Sequence, residues 1–172
     1  MPTLYSSQLL SPYCVSNRSV SDVLQVLGNL IGAYPNADVT VIGYSMGGSI
    51  ALLDGLLFRM LLAPTTNVKV VSYGMSRVGN QAFSSFVDSM LPGTVKRIVN
   101  KRDPYPVVPG LSLGYHGVDG EIHIQQNGKW TQCPGDDNGD SRCIAGTVTS
   151  INNANFADHV GPYDNIMMTC NS

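Results

Sequence analysis

The sequence predicts an α/β fold with a largely parallel sheet, and three observations carry that reading. Short β-branched runs alternate with helical segments between residues 19 and 100, the pattern of strands joined by crossover helices. One run, 39–43, breaks on Gly-Tyr-Ser-Met-Gly-Gly straight into an apolar helical stretch, so a strand turns tightly into a helix around a single hydroxyl. At 172 residues, 43% of them hydrophobic, the chain is long enough to bury one sizeable core and reads as a single domain over residues 1–172.

The elements follow in order. Ser19-Val20-Ser21-Asp22 has the form of a capping box. Val23, Leu24, Leu27, Leu30 and Ile31 then keep helical spacing until Pro35 stops the element. Residues 39–43 read as a short buried strand, 46–62 as a helix and 68–73 as a second strand. Asn80 caps a helix whose expected inward face is Phe83, Phe86, Val87 and Met90. A third strand, 95–100, ends just before Asp103. Beyond it the pattern changes. DPYPVVPG is Pro-punctuated loop, and EIHIQQNGKWTQC alternates on both sides of Asn127-Gly128, a strong hairpin signal. Residues 133–155 are expected to be mostly loop, and Asp158-His159 opens the closing segment.

Charged residues make up only 13% of the chain and the net charge is -2, which leaves no electrostatic footprint for nucleic acid or an anionic membrane. The most apolar stretch, IALLDGLLFRMLLA, carries Asp54 and Arg59 and is too short to span a bilayer. The opening MPTLYSSQLLSPY lacks the basic region and continuous apolar run of a signal peptide. Four cysteines fit two disulfides formed in an oxidising compartment. Cys133 and Cys143 flank the polar loop PGDDNGDSR and are the expected pair, while the sequence leaves open whether Cys14 pairs with Cys170. Asn17-Arg18-Ser19 is a glycosylation sequon for a chain on the secretory route.

Gly43-x-Ser45-x-Gly47 is the pattern of a nucleophile elbow. Strained backbone there projects the serine oxygen above the sheet, and the N–H of Met46 faces the same space as an oxyanion donor. The helix N-terminus adds positive potential. A serine hydroxyl needs a base to take its proton, and the base needs an orienting carboxylate. His123 alternates with Ile122 and Ile124 and reads as a surface strand residue. His116 lies in the turn GYHGVDG, where it could help shape a site. His159, in a C-terminal polar loop, is the expected base. Asp103 follows a strand directly, where open α/β sheets place their working groups, and is the expected acid. Asp119, Asp136, Asp137 and Asp140 read as solvated. Asp136-x-Asn138-x-Asp140 lacks the glycine and terminal glutamate of a calcium loop, and no cluster has metal-ligand spacing, so no metal site is expected.

With these residues in place, the chain resembles the fungal class 3 (Rhizomucor-type) triacylglycerol lipases of the α/β-hydrolase fold. The likeness runs in order through VTVIGYSMGGSIALL, VVSYGMSRVGNQAFSSFV, RIVNKRDPYPVVPG, GYHGVDGEIHI, CPGDDNGDSRCIAG and DHVGPY. The resemblance implies a triad of Ser45, Asp103 and His159, the residues that the local argument also selects. It further implies an acylglycerol ester substrate, secretion, and no metal or organic cofactor. Where the family has His and Leu on either side of the nucleophile, this chain has Tyr44 and Met46; where it favours Pro, Ser76 stands in YGMSRVGN. The family also places further strands, a lid helix and a Ser or Thr oxyanion donor ahead of the nucleophile. Nothing in MPTLYSSQLLSPYCVSNRSV matches them. The expectation is therefore a truncated, partial domain whose strand 39–43 has an unpaired edge, an invitation to self-association.

The leading reading is a serine ester hydrolase of lipid esters working through an acyl-enzyme. Tyr44, Val107, Val108, Leu111 and Val160 are the candidates for contacting the substrate. A feruloyl-type esterase on the same scaffold is a close variant. A rival from another class is a catalytically impaired remnant or binding module that keeps the triad residues without turnover. A third reading, a cytosolic interaction protein with a chance pentapeptide, requires Cys133 and Cys143 to be free thiols.

Overall fold

Residues 3–6 and 17–169 are described by a computed structural model, with side chains from residue 22 onward. The strands are β1 (Thr3–Ser6), β2 (Asp38–Tyr44), β3 (Val68–Tyr73), β4 (Gly79–Asn80), β5 (Val95–Asn100), β6 (Tyr115–His116), β7 (Glu121–Ile124) and β8 (Trp130–Cys133). The helices are α1 (Asn17–Ala33), α2 (Met46–Leu61), α3 (Gln81–Met90) and two single turns, α4 (Ile144–Thr147) and α5 (Ala157–Val160). Six strands form one sheet in the order β1-β2-β3-β5-β7-β8. All pair in parallel except β8, which returns antiparallel to β7 through the Asn127-Gly128 turn. β4 and β6 make a separate antiparallel pair.

Alternation along the strands decides which side is packed. Val39 and Val41 of β2 pair with Val68 and Val70 of β3. Together with Val95 they meet Leu27 of α1, Leu52 and Leu56 of α2 and Val87 of α3 in one cluster. Gly55 allows the close approach of α2, because a side chain there would run into Val70. The intervening residues face the other side, where Tyr44, Val71, Tyr73, Ile98 and Ile124 are packed by Tyr163 and Met168. That cover is partial, and Ile42 remains 38% exposed.

Several expectations are corrected. α1 begins at Asn17, so residues 19–22 lie within the helix and are not its cap. The edge of β2 is not free: β1 pairs along it from Thr3↔Asp38 to Ser6↔Val41. This four-residue stretch covers Asp38–Val41 of the seven-residue β2, so the edge is not wholly bare as the sequence reading expects. Asn80 does cap α3, its side chain accepting from the Phe83 N–H at 3.0 Å. Phe86, however, is exposed, because the inward stripe runs through Phe83, Val87 and Met90; Ser84 is the buried residue beside it, donating to the Gly117 carbonyl. Cys133 and Cys143 are joined, with an S–S distance of 2.03 Å, whereas Cys14 and Cys170 lie outside the described residues. Among the described residues no helix is long and apolar enough to cross a membrane.

Candidate active site

β2 ends at Tyr44 and α2 starts at Met46, so Ser45 alone makes the turn between them. Its backbone lies at φ 55, ψ -128, a sparsely populated conformation for a residue with a side chain, and such strain collects at working sites. The turn is held by the Ser45 N–H donating to the Tyr73 carbonyl at 2.8 Å. Gly43 is required, since any Cβ there would strike the Gly47 carbonyl. Gly47 itself opens onto free space; the following Gly48 is the one pressed against Ser72 and Met75.

Asp103 and His159 arrive from opposite ends of the remaining chain. Asp103 stands three residues beyond β5, fully buried, with its N–H donating to the Asn100 carbonyl. His159 is held by α5, and its imidazole Nδ1 meets Asp103 Oδ2 at 2.8 Å while Nε2 meets Ser45 Oγ at 2.8 Å. The other Asp103 oxygen accepts from the Tyr105 N–H at 2.9 Å. The Tyr163 hydroxyl lies 3.4 Å from Oδ2; burial above all, and then the Asp103 charge, push that phenol far up, so it serves as a neutral donor. Gly74 makes space for the imidazole: a Cβ there would lie 2.9 Å from it.

α5 is a single turn, so other contacts must fix it. Asn100 Nδ2 donates to the Asp158 carbonyl at 2.8 Å, and the Arg102 N–H donates to Asp158 Oδ2 at 3.1 Å. The Asn155 N–H donates to the Arg102 carbonyl at 2.8 Å. The segment carrying the imidazole is thereby stitched to the turn carrying the carboxylate. Such an array, hydroxyl to imidazole to buried carboxylate, can draw a proton from the serine oxygen and return it to a leaving group.

Set against known proteins, residues 7–113 match the family model Lipase (class 3). The chain belongs to the class 3 lipase family. It is 35% identical over 127 residues to a secreted mono- and diacylglycerol lipase of Malassezia globosa, an alignment covering 73% of this chain and 40% of that one. A secreted mono- and diacylglycerol lipase of Gibberella zeae is 30% identical over 149 residues, covering 83% and 47%. Among solved structures, the lipase of Rhizopus microsporus var. chinensis superposes with a TM-score of 0.73 at 32% identity, covering 86% of this chain and 50% of that one. The Rhizomucor miehei lipase propeptide complex gives 0.74 at 28%, covering 91% and 49%. Similar too, at 25% identity and a TM-score of 0.66, is a triacylglycerol lipase whose catalytic centre is described as a serine protease triad. The chain spans less than half the length of these curated relatives, and its fold is that of the α/β-hydrolase lipases.

In this class 3 lipase chain the remaining candidates are scattered. Met46 opens α2 and is 57% exposed. Tyr44 stacks on His159 and donates its hydroxyl to the His159 carbonyl at 3.1 Å. Val107 packs against Val99, Ile144 and Val148, away from the serine. Val108 and Val160 are half-buried and Leu111 is exposed. His123 is not a surface residue: it is 1% exposed, between the carbonyls of Arg142 and Lys101. Asp137 is not solvated either. It pairs with Arg77 at 2.6 Å and accepts from the Gly117 N–H. Arg77 in turn holds the loop after Asp103, donating to the carbonyls of Val107 and Pro109. His116 lies 3.8 Å from Asp136 and Asp137 and away from the serine. Tyr105, Tyr163, Asp158 and Asn100 are the site residues that sequence reading missed. Their only signal was closeness in sequence to Asp103 and His159.

Proposed function

We propose that this class 3 lipase chain is a serine hydrolase of acylglycerol esters, acting outside the cell. One observation carries the reading: an unbroken line from Asp103 through His159 to Ser45, 2.8 Å at each link, ending on a serine at a strained strand-to-helix turn. Ser45 Oγ attacks the ester carbonyl while His159 Nε2 takes its proton, and the Met46 N–H receives the oxyanion. The imidazolium passes that proton to the departing alcohol, leaving an acyl-enzyme. Water, giving a proton to His159, then attacks the acyl carbonyl, and the proton returns to Ser45 as the fatty acid leaves. Asp103 keeps the imidazole in the tautomer this requires.

The names of the relatives, secreted mono- and diacylglycerol lipases, support partial glycerides as the substrate class, and the Cys133–Cys143 disulfide supports an oxidising compartment. Tyr44, Val108, Leu111 and Val160 remain the proposed substrate contacts, whereas Val107 packs into the cluster of Val99, Ile144 and Val148. A fluorophosphonate probe tests the proposal. Stoichiometric labelling, located at Ser45 by mass spectrometry and lost in His159→Ala, supports the hydrolase. Folded protein that never labels favours the non-catalytic remnant.

A further inference from the structure

Resting on the ester-hydrolase reading, we propose that Tyr44 and Tyr105 are positioning residues that fix the imidazole of His159 between nucleophile and acid. The Tyr105 ring stacks on the imidazole with centroids 4.0 Å apart and planes 30° apart. The Tyr44 ring stacks on it at 5.0 Å and 28°. Each tyrosine is also tied to another member of the triad. Tyr44 immediately precedes Ser45 in the chain, and its hydroxyl donates to the His159 carbonyl at 3.1 Å. Tyr105 follows Asp103 by two residues, and its N–H donates to Asp103 Oδ1 at 2.9 Å. One tyrosine thus couples nucleophile to base, and the other couples acid to base.

The need for such contacts follows from the element that carries the base. α5 has four residues, too few to hold a side chain by helical packing, and the flanking Phe156 is 59% exposed. Two rings stacked on the imidazole at 28° and 30° restrict its rotation about the outer torsion, keeping Nε2 aimed at the serine oxygen. Alignment of this kind governs how fast a bound reactant reaches the transition state. When the imidazole takes the serine proton, the charge forms against two π faces, an attraction stronger in the transition state than before it. The effect therefore belongs in kcat and not in KM. Burial, followed by the Asp103 charge, pushes the Tyr44 phenol up and keeps it a neutral donor. Phe156 meets Tyr105 edge-on at 6.2 Å and steadies it from the solvent side.

The test uses a soluble short-chain p-nitrophenyl ester and the fluorophosphonate probe. Tyr105→Leu is expected to lower kcat and the labelling rate by roughly tenfold with KM within about twofold, while Tyr105→Phe stays within about twofold of wild type on both. Tyr44→Leu is expected to lose a similar factor in kcat, with a rise in KM besides from its proposed substrate contact, and Tyr44→Phe to lose less in kcat, since only the hydroxyl is lost. A folded Tyr105→Leu protein with unchanged kcat overturns the role, as does Tyr105→Phe that is as slow as Tyr105→Leu. NMR of the wild-type protein keeps the claim testable where a leucine variant fails to fold. Ring currents should move the His159 Cε1 proton upfield of its His116 counterpart, and equal positions overturn the stacking. Folded wild-type protein that neither labels nor turns over ester overturns the hydrolase reading itself; an active wild type with an indifferent Tyr105→Leu overturns only the tyrosines.

Discussion

His123 and His159 are both buried, at 1% and 7% exposure, and both ring nitrogens of each are engaged. His123 lies between two backbone carbonyls, Arg142 at 2.6 Å and Lys101 at 2.8 Å. His159 lies between a carboxylate and a hydroxyl. Carbonyl oxygens only accept, so neither partner of His123 has a proton to give. The serine hydroxyl can give one and take one back. His123 is a strut, joining the loop closed by the Cys133–Cys143 disulfide to the turn that precedes Asp103. His159 is a relay. Burial and bond count do not separate the two; the chemistry of the partners does.

The contrast can be broken or sharpened by measurement. Ser45→Ala or His159→Ala should abolish labelling and lower kcat on the order of 10⁶-fold; a modest loss would make His159 another strut. Asp103→Asn, which leaves the shape but favours the wrong tautomer, should cost about 10⁴ in kcat with little change in folding. Reduction of Cys133–Cys143 should cost about 3 kcal/mol in urea unfolding, as expected for so short a closed loop. His123→Gln should cost about 1–3 kcal/mol and leave kcat per folded molecule within a few-fold. Because His123 grips Arg142 inside the disulfide loop, its loss should be smaller after reduction, and strict additivity would deny the link. The smallest effect concerns Asp54, whose carboxyl burial pushes up. Its charge therefore opposes folding above the folded-state value and not below the ordinary 3.8. Asp54→Asn should stabilise by less than about 1 kcal/mol at pH 7, discounted for solvent screening, and by nothing at pH 3.

Strands 68–73 and 95–100 are legible to the residue, because β-branched runs bounded by turn residues leave little choice. Ser45 is legible from a local pattern, and Asp103 from its place after a strand. What escapes local reading depends on long-range cover. Alternation puts His123 on one side of β7, but it cannot say that the disulfide loop lies over that side. The Arg77–Asp137 pair joins residues sixty apart and leaves no periodic trace. Thr3–Ser6 is too short for alternation to register, so the partner of β2 goes unseen. Tyr44 and Tyr105 are each readable as neighbours of a triad residue, yet their stacking on one imidazole exists only once α5 has docked.

The contact between Ser45 and His159 closes a separation of 114 residues, and that between Asp103 and His159 one of 56. Loops this long must be closed before their contacts repay the lost freedom. During refolding the sheet can grow outward from β2 and β3 while the site stays silent. Regain of the labelling reaction would then mark the last docking event and trail the recovery of secondary structure. A chain half-assembled at its C-terminal end would be a silent protein with nearly all of its strands in place.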